Sequence, residues 1–321
     1  MPYFRGSVEF QPTIEAAAER LGIGATAVEK DYWVSEVLRV LAREFGGSFI
    51  FKGGTSLSKG YRILERFSDD IDVLVLPGGR GRNATDKLMK EMGQAAAVFV
   101  GGTASSVGGS ETGRHRAYEL SYPTSRRPTT QVRTSVLLEM GVRGGPHPHE
   151  TVAIAPLLAD VLQLAGADIA EFDDLGPFEV TVLHPGRTLL EKLVLVHSIS
   201  QKLANEGPTA VRPRDGRHFY DIYQLLADRS VLELLNDRGQ VQQVLDSVAE
   251  VIGEHFPSDQ GAELRPAAGF GACPAFDAGS AVSHRLRDVY EAAMPELYFG
   301  ATPLPSWDAI CARVTEASAL L

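Results

Sequence analysis

Two short motifs at a fixed spacing limit what this chain can fold into. Lys52-Gly53-Gly54-Thr55-Ser56 follows an aromatic and β-branched run, and Asp70-Ile71-Asp72 comes after a further 14 residues beyond Thr55. The run 48–52 reads as a short strand, 53–55 as a turn, 56–66 as a helix through Leu57, Tyr61 and Leu64, and 70–76 as a second strand ended by Pro77-Gly78-Gly79. On a strand, Asp70 and Asp72 leave the same face, with Ile71 and Val73 pointing into a core. Two carboxylates so placed repel each other unless a cation neutralises them, and their hard oxygens suit Mg²⁺. The glycine turn lets backbone approach a phosphate closely, and the helix after it offers free N–H groups. A phosphate cradle beside a carboxylate pair is the apparatus of phosphoryl or nucleotidyl transfer. The order of residues is not that of a Walker loop, because Lys59 precedes Gly60. The plain structural alternative is a tight turn followed by a solvated strand end.

The rest of the chain suggests a mixed α/β fold with a helical C-terminal half. Helices are expected at 13–21 and 25–45, the second ended by Gly46-Gly47, and at 86–100. Residues 101–110 are rich in Gly, Ser and Thr and read as a mobile loop or a hairpin. Strands are expected at 116–122 and 131–142, and, after a proline-containing apolar stretch, at 178–183. Helices then follow at 187–205, 215–227, 241–255, 281–295 and 306–320, with 257–279 as a Gly/Pro/Ala-rich connection. A division into 1–150 as core and 151–321 as a mainly helical domain completing the active-site cleft follows from this pattern. Within the strand at 131–142, Glu139 interrupts an apolar run. It is either the solvated face of a half-buried strand or a third carboxylate beside Asp70 and Asp72.

The net charge of −10 argues at first against a nucleic-acid partner, since phosphate contacts need Lys and Arg. Its distribution says otherwise: 52–150 carries 14 basic and 10 acidic side chains, while 231–321 carries 5 and 13. The basic excess coincides with the motif-bearing block. No apolar run is long enough for a membrane helix, the start of the chain lacks a secretory apolar core, and Cys273 and Cys311 are too few for a zinc cluster or disulfide framework. The expectation is a soluble, cytoplasmic protein without a catalytic thiol.

A second cluster lies downstream, in 184–193 and 212–223. Lys192 sits among Leu189, Leu193 and Val196, and can hold a triphosphate as a point charge. Asp221 falls in an apolar helical run and needs a cationic partner, for which Lys192 or Arg217 is the obvious candidate. A structural ion pair between packed helices is the bland reading of both. His147 and His149 around Pro148 read as a loop, and His197 and His218 as packing or phosphate-side groups.

Together these segments resemble the AbiEii/MenT family of nucleotidyltransferase toxins, which share the nucleotidyltransferase fold of DNA polymerase beta. The resemblance rests on Lys52-Gly53-Gly54-Thr55-Ser56-Leu57, Arg66-x-Ser68-x-Asp70-Ile71-Asp72, 187–193, 217–223 and the helix carrying Glu29-Lys30-Asp31-Tyr32-Trp33-Val34. It implies nucleotide binding by Lys52, Gly53, Gly54, Thr55, Ser56, Arg66 and Ser68, and Mg²⁺ ligation by Asp70 and Asp72, with Glu139 added on its strand position. It implies catalytic roles for Asp70, Asp72, Lys192 and Asp221, the last as a base or as a group that orients Lys192. It further implies an NTP substrate, a tRNA 3′ end as acceptor, and a cognate antitoxin protein as partner. The rival readings are transfer to a small molecule or protein, phosphotransfer on the same fold, and a catalytically silent nucleotide-binding module.

Overall fold

The structure, a computed structural model, describes residues 2–68, 70–129, 132–255 and 263–321. Asp69, Gln131 and the part of the expected connection at 257–262 lie outside them. The chain forms two compact units, Met1–Arg62 with Phe67–Leu183, and Ile63–Arg66 with His184–Leu321. The expected boundary at 150 falls inside a strand of the first unit.

In the first unit, α1 (Phe10–Leu21) and α2 (Ala25–Phe45) precede β1 (Phe49–Lys52). Gly53–Thr55 forms one helical turn, α3, which runs into a π-helical turn at Ser56–Gly60. Then come β2 (Asp70–Val75), α4 (Arg82–Phe99), β3 (Ala104–Ser106), β4 (His115–Ser121), β5 (Ser135–Gly141), β6 (His149–Ile154), α5 (Leu157–Leu164) and β7 (Phe178–Leu183). One mixed sheet takes the order β3-β4-β5-β2-β1-β7-β6. β1 is antiparallel to β2 and parallel to β7, while β2 is parallel to β5. The period-2 alternation of β2 decides its faces: Ile71 and Val73 enter the main core with Val28, Trp33, Val37 and Met89. Leu74 joins Ile50 and Leu183 in a small cluster on the opposite side. Trp33 is buried and stacks on Tyr122 at 5.3 Å, as its apolar position in the helix suggests.

The second unit is helical: α6 (Pro185–Glu206), α7 (Arg217–Leu225), α8 (Arg229–Asn236), α9 (Arg238–His255), α10 (Ala281–Leu297) and α11 (Trp307–Glu316). Phe219 packs on Phe276 and Trp307 at its centre.

Two expectations change, and one alternative is decided. The helix at 56–66 ends at Gly60, because Arg62 takes a left-handed φ of 56° and 63–66 crosses into the second unit as an extended strap. The segment 101–110 is a hairpin arm, with Ala104–Ser106 paired to β4. His149, read as loop, opens β6; that strand lies at the sheet's edge and is mostly exposed, so it has little apolar alternation to announce it.

Candidate active site

The glycine motif and the Asp-x-Asp strand meet through sheet register. Antiparallel pairing sets Lys52 opposite Asp72, and parallel pairing sets Glu139 opposite Asp72 on the other side. Lys52, Asp72 and Glu139 therefore form one row across β1, β2 and β5, on the face away from the main core. Each is partly buried. Asp70 leaves the same face two residues before Asp72.

Gly53 turns the chain out of β1 with φ 79°, and a Cβ added there would lie 2.3 Å from Asp72 Oδ2. Only glycine allows this approach of backbone to carboxylate. The turn is held by its own side chains. Thr55 Oγ1 donates to the Asp70 carbonyl at 2.5 Å and lies 2.9 Å from Ser68 Oγ. Ser56 Oγ donates to the Gly53 carbonyl at 2.9 Å, and Ser58 Oγ to that of Thr55 at 3.2 Å. Thr55 and Ser56 are buried; the Thr55 hydroxyl ties the turn to β2, and the Ser56 hydroxyl closes the turn on itself. Behind it, Lys59 Nζ pairs with Asp31 of α2 at 2.6 Å, and the other Asp31 oxygen accepts from the Leu157 N–H.

A divalent cation fits this donor set in one form and not in another. Among the described residues, no group of three or more His, Cys, Asp or Glu side chains is disposed to hold a metal. The three-carboxylate set expected from Asp70, Asp72 and Glu139 is thus not assembled as a cage. Two carboxylates such as this pair would suit Mg²⁺ with substrate phosphates completing its shell, and the close approach of the Gly53 turn to Asp72 leaves room there for no side chain.

The second unit holds a cluster of its own. Arg66 reaches Asp221 with two hydrogen bonds, Nε to Oδ1 at 2.6 Å and Nη2 to Oδ2 at 2.7 Å. Lys192 Nζ lies 2.7 Å from the same Oδ2 and 3.5 Å from His218 Nδ1. Burial would raise the Asp221 carboxyl, but the charges of Arg66 and Lys192 hold it well below the usual range. Burial lowers Lys192, opposed by Asp221. Arg66 was expected at a nucleotide, and Arg217 was a candidate partner for Asp221; the guanidinium on Asp221 is Arg66, fully enclosed. The strap that carries it is fixed on both sides: the Glu65 N–H donates to Tyr220 Oη at 3.1 Å, and the Phe299 N–H to the Glu65 carbonyl at 3.1 Å. The spacing of Leu57, Tyr61 and Leu64 carries the expected helix through to Arg66, and nothing local announces a bond to position 221.

His147 and His149 stack on each other with centroids 4.9 Å apart. Cys273 and Cys311 are buried free thiols raised by desolvation. His197 Nδ1 lies 3.8 Å from Cys273 Sγ, a proximity invisible in sequence, but burial lowers the imidazole and raises the thiol, so both stay neutral.

The chain is similar in fold to MenT4, a nucleotidyltransferase toxin from Mycobacterium tuberculosis H37Rv, with a TM-score of 0.59 and 19% identity over 96% of this chain and 88% of that one. No curated protein matches the chain. No helix of the described residues is long and apolar enough to cross a membrane. The family model of the nucleotidyl transferase AbiEii toxin, type IV toxin–antitoxin system, matches residues 39–313, a span that takes in both motifs and most of each unit. The chain belongs to the AbiEii nucleotidyltransferase toxins of type IV toxin–antitoxin systems.

Proposed function

We propose that this chain transfers an NMP from an NTP, with Mg²⁺, to the 3′ hydroxyl of a tRNA in the cytoplasm, and that a cognate antitoxin restrains it. The observation that carries the reading is the approach of the Gly53 backbone to Asp72, which sets the glycine turn against the paired carboxylates. Asp70 and Asp72 would hold the ion, with Glu139 flanking Asp72 in the row. Bound there, Mg²⁺ supplies neutralisation of the phosphates and a lowered pKa for a hydroxyl beside it.

The chain's own groups do the rest. Backbone N–H groups of Gly53 and Gly54 bind phosphate oxygens, since the Thr55 and Ser56 hydroxyls already donate to the Asp70 and Gly53 carbonyls. Lys52, in register with Asp72, supplies positive charge next to the carboxylates. Lys192 binds phosphate as a point charge. Asp221, with both oxygens engaged and its proton affinity depressed, acts as the anchor of Lys192 rather than as a base.

An RNA acceptor is supported by charge at the right end of the sheet. The connection from β4 to β5 enters β5 where β2 begins, and its Arg127 and Arg133 are exposed in a stretch without acidic residues. The test is incubation with each labelled NTP, Mg²⁺ and total tRNA. Label that RNase removes, and that Asp70→Ala abolishes, is expected. Equal labelling by wild type and Asp70→Ala would sink the enzyme reading, and RNase-resistant label would move the acceptor to a protein or small molecule.

A further inference from the structure

His218 stands one turn from Asp221 on α7 and has no part in the reading above. Its Nδ1 lies 3.5 Å from Lys192 Nζ. An ammonium can only donate, so a contact with Nδ1 requires that nitrogen to carry no proton, which places the ring proton on Nε2. Lys192 then has two of its three N–H groups directed, one to Asp221 and one to His218. Its side chain keeps 11% of its surface exposed, and the third N–H is the one available to a ligand. A carboxylate alone fixes an ammonium loosely, since a point charge on four methylenes can swing about a single partner. A second acceptor turns the pair into a tripod with one defined direction left.

We propose that His218 is a positioning residue for Lys192, its neutral ring aiming the ammonium at phosphate, so that protonating the ring switches phosphate binding off. The inference rests on the reading of Lys192 as a phosphate-binding group. The charged groups acting on the ring are Lys192 from α6, Asp221 and Arg217 from its own helix, and Arg66 from the strap. Burial, then the charge of Lys192, holds the imidazole well below its ordinary value, and Asp221 opposes them. Those positive groups have the same consequence chemically: a proton on Nδ1 removes the acceptor and sets an imidazolium against an ammonium at hydrogen-bond distance. In neutral solution the ring is therefore in the state that the tripod needs.

The test uses the full chain and inorganic triphosphate, whose binding is followed by calorimetry across pH without an acceptor. In wild type the dissociation constant is level above the ring's pKa and rises by up to about tenfold per unit below it. His218→Asn keeps an acceptor oxygen near the Nδ1 position and cannot titrate. It is expected to bind within about threefold of wild type at neutral pH and to lose the acid limb. His218→Leu fills the space without an acceptor, and binding is expected to weaken by about tenfold at every pH. An acid limb that survives in His218→Asn, or wild-type affinity in His218→Leu, overturns the proposal. Nitrogen NMR of the imidazole reads the pairing without any ligand: the Nε2–H tautomer is expected, with its titration moving up toward the ordinary value in Lys192→Met. An Nδ1–H tautomer overturns the pairing itself. If the Nε2–H tautomer and its response to Lys192→Met are found but wild type binds no triphosphate, the phosphate role of Lys192 is what has failed, and the switch falls with it.

Discussion

Arg66 and Asp221 are 155 residues apart in sequence and share two hydrogen bonds of 2.6 and 2.7 Å, with almost no side-chain surface left to solvent. The strap between the glycine motif and the Asp-x-Asp strand is thereby anchored in the helical unit, on the carboxylate that also holds Lys192. Buried pairs of this kind are costly to break on one side, because the remaining charge is left uncompensated.

Arg66→Met is expected to lower unfolding free energy by about 3–5 kcal/mol. The double variant Arg66→Met/Asp221→Leu should lose less than the sum of the two single changes, since neither charge is then stranded. Urea unfolding of the three variants gives the coupling directly, and additive losses would show that the pair is not a unit.

Gly53 and Gly47 have nearly the same φ, 79° and 78°, but only Gly53 faces a neighbour. Gly47→Ala should cost about 1 kcal/mol, the penalty of the left-handed backbone alone. Gly53→Ala adds a contact with Asp72 and should reduce nucleotidyl transfer by about 100-fold while costing roughly 1–3 kcal/mol. Transfer assays beside melting curves would separate the two, and equal activities would mean that the approach to Asp72 has no functional weight.

Two groups of this cluster contribute to the acid limb of stability. The folded value of His218 lies below its unfolded one, so between them the unfolded chain binds the extra proton and stability falls as pH drops below about 6.5. Asp221 is also depressed, so its contribution is full above the ordinary carboxylate value of about 3.9 and is lost as pH falls through its folded value. Unfolding free energies measured at stepped pH should therefore show a shallower fall in His218→Asn than in wild type from about pH 6.5 downward. Parallel curves would remove His218 from the balance.

Mg²⁺ with an NTP should raise the melting temperature of wild type, with a stabilisation of about 2.7 kcal/mol at a hundredfold excess over the dissociation constant. Asp72→Asn and addition of a chelator should each remove that increment, and a shift that survives both would place the nucleotide away from the carboxylate pair.

Much of this fold was legible locally. The helix at 25–45 and the strand at 178–183 match α2 and β7 because each is long or strongly patterned and ends on clear signals, glycine in one and proline after the other. α8 and β6 were not legible: the first is eight residues following closely on α7, and the second is an edge strand that buries little. The helix expected to run on to Arg66 fails for a tertiary reason. Leu57, Tyr61 and Leu64 have helical spacing, yet the pull of Asp221 on Arg66 and of Tyr220 on the Glu65 N–H draws 63–66 out straight.

The sequence alone determined the chemistry on offer and the family: a glycine turn, two carboxylates at period 2, a lysine in an apolar helix and a carboxylate needing a cation. Those are consequences of residue type and near-neighbour spacing, which backbone geometry converts into faces and turns. Tertiary structure decided which groups meet. Register set Lys52 and Glu139 on either side of Asp72, the strap at 63–66 gave Arg66 to Asp221, and the packing of α6 on α7 gave His218 to Lys192. Such pairings depend on contacts between residues far apart in the chain, where the cost of burying a charge is met by whichever partner the packed fold brings within reach.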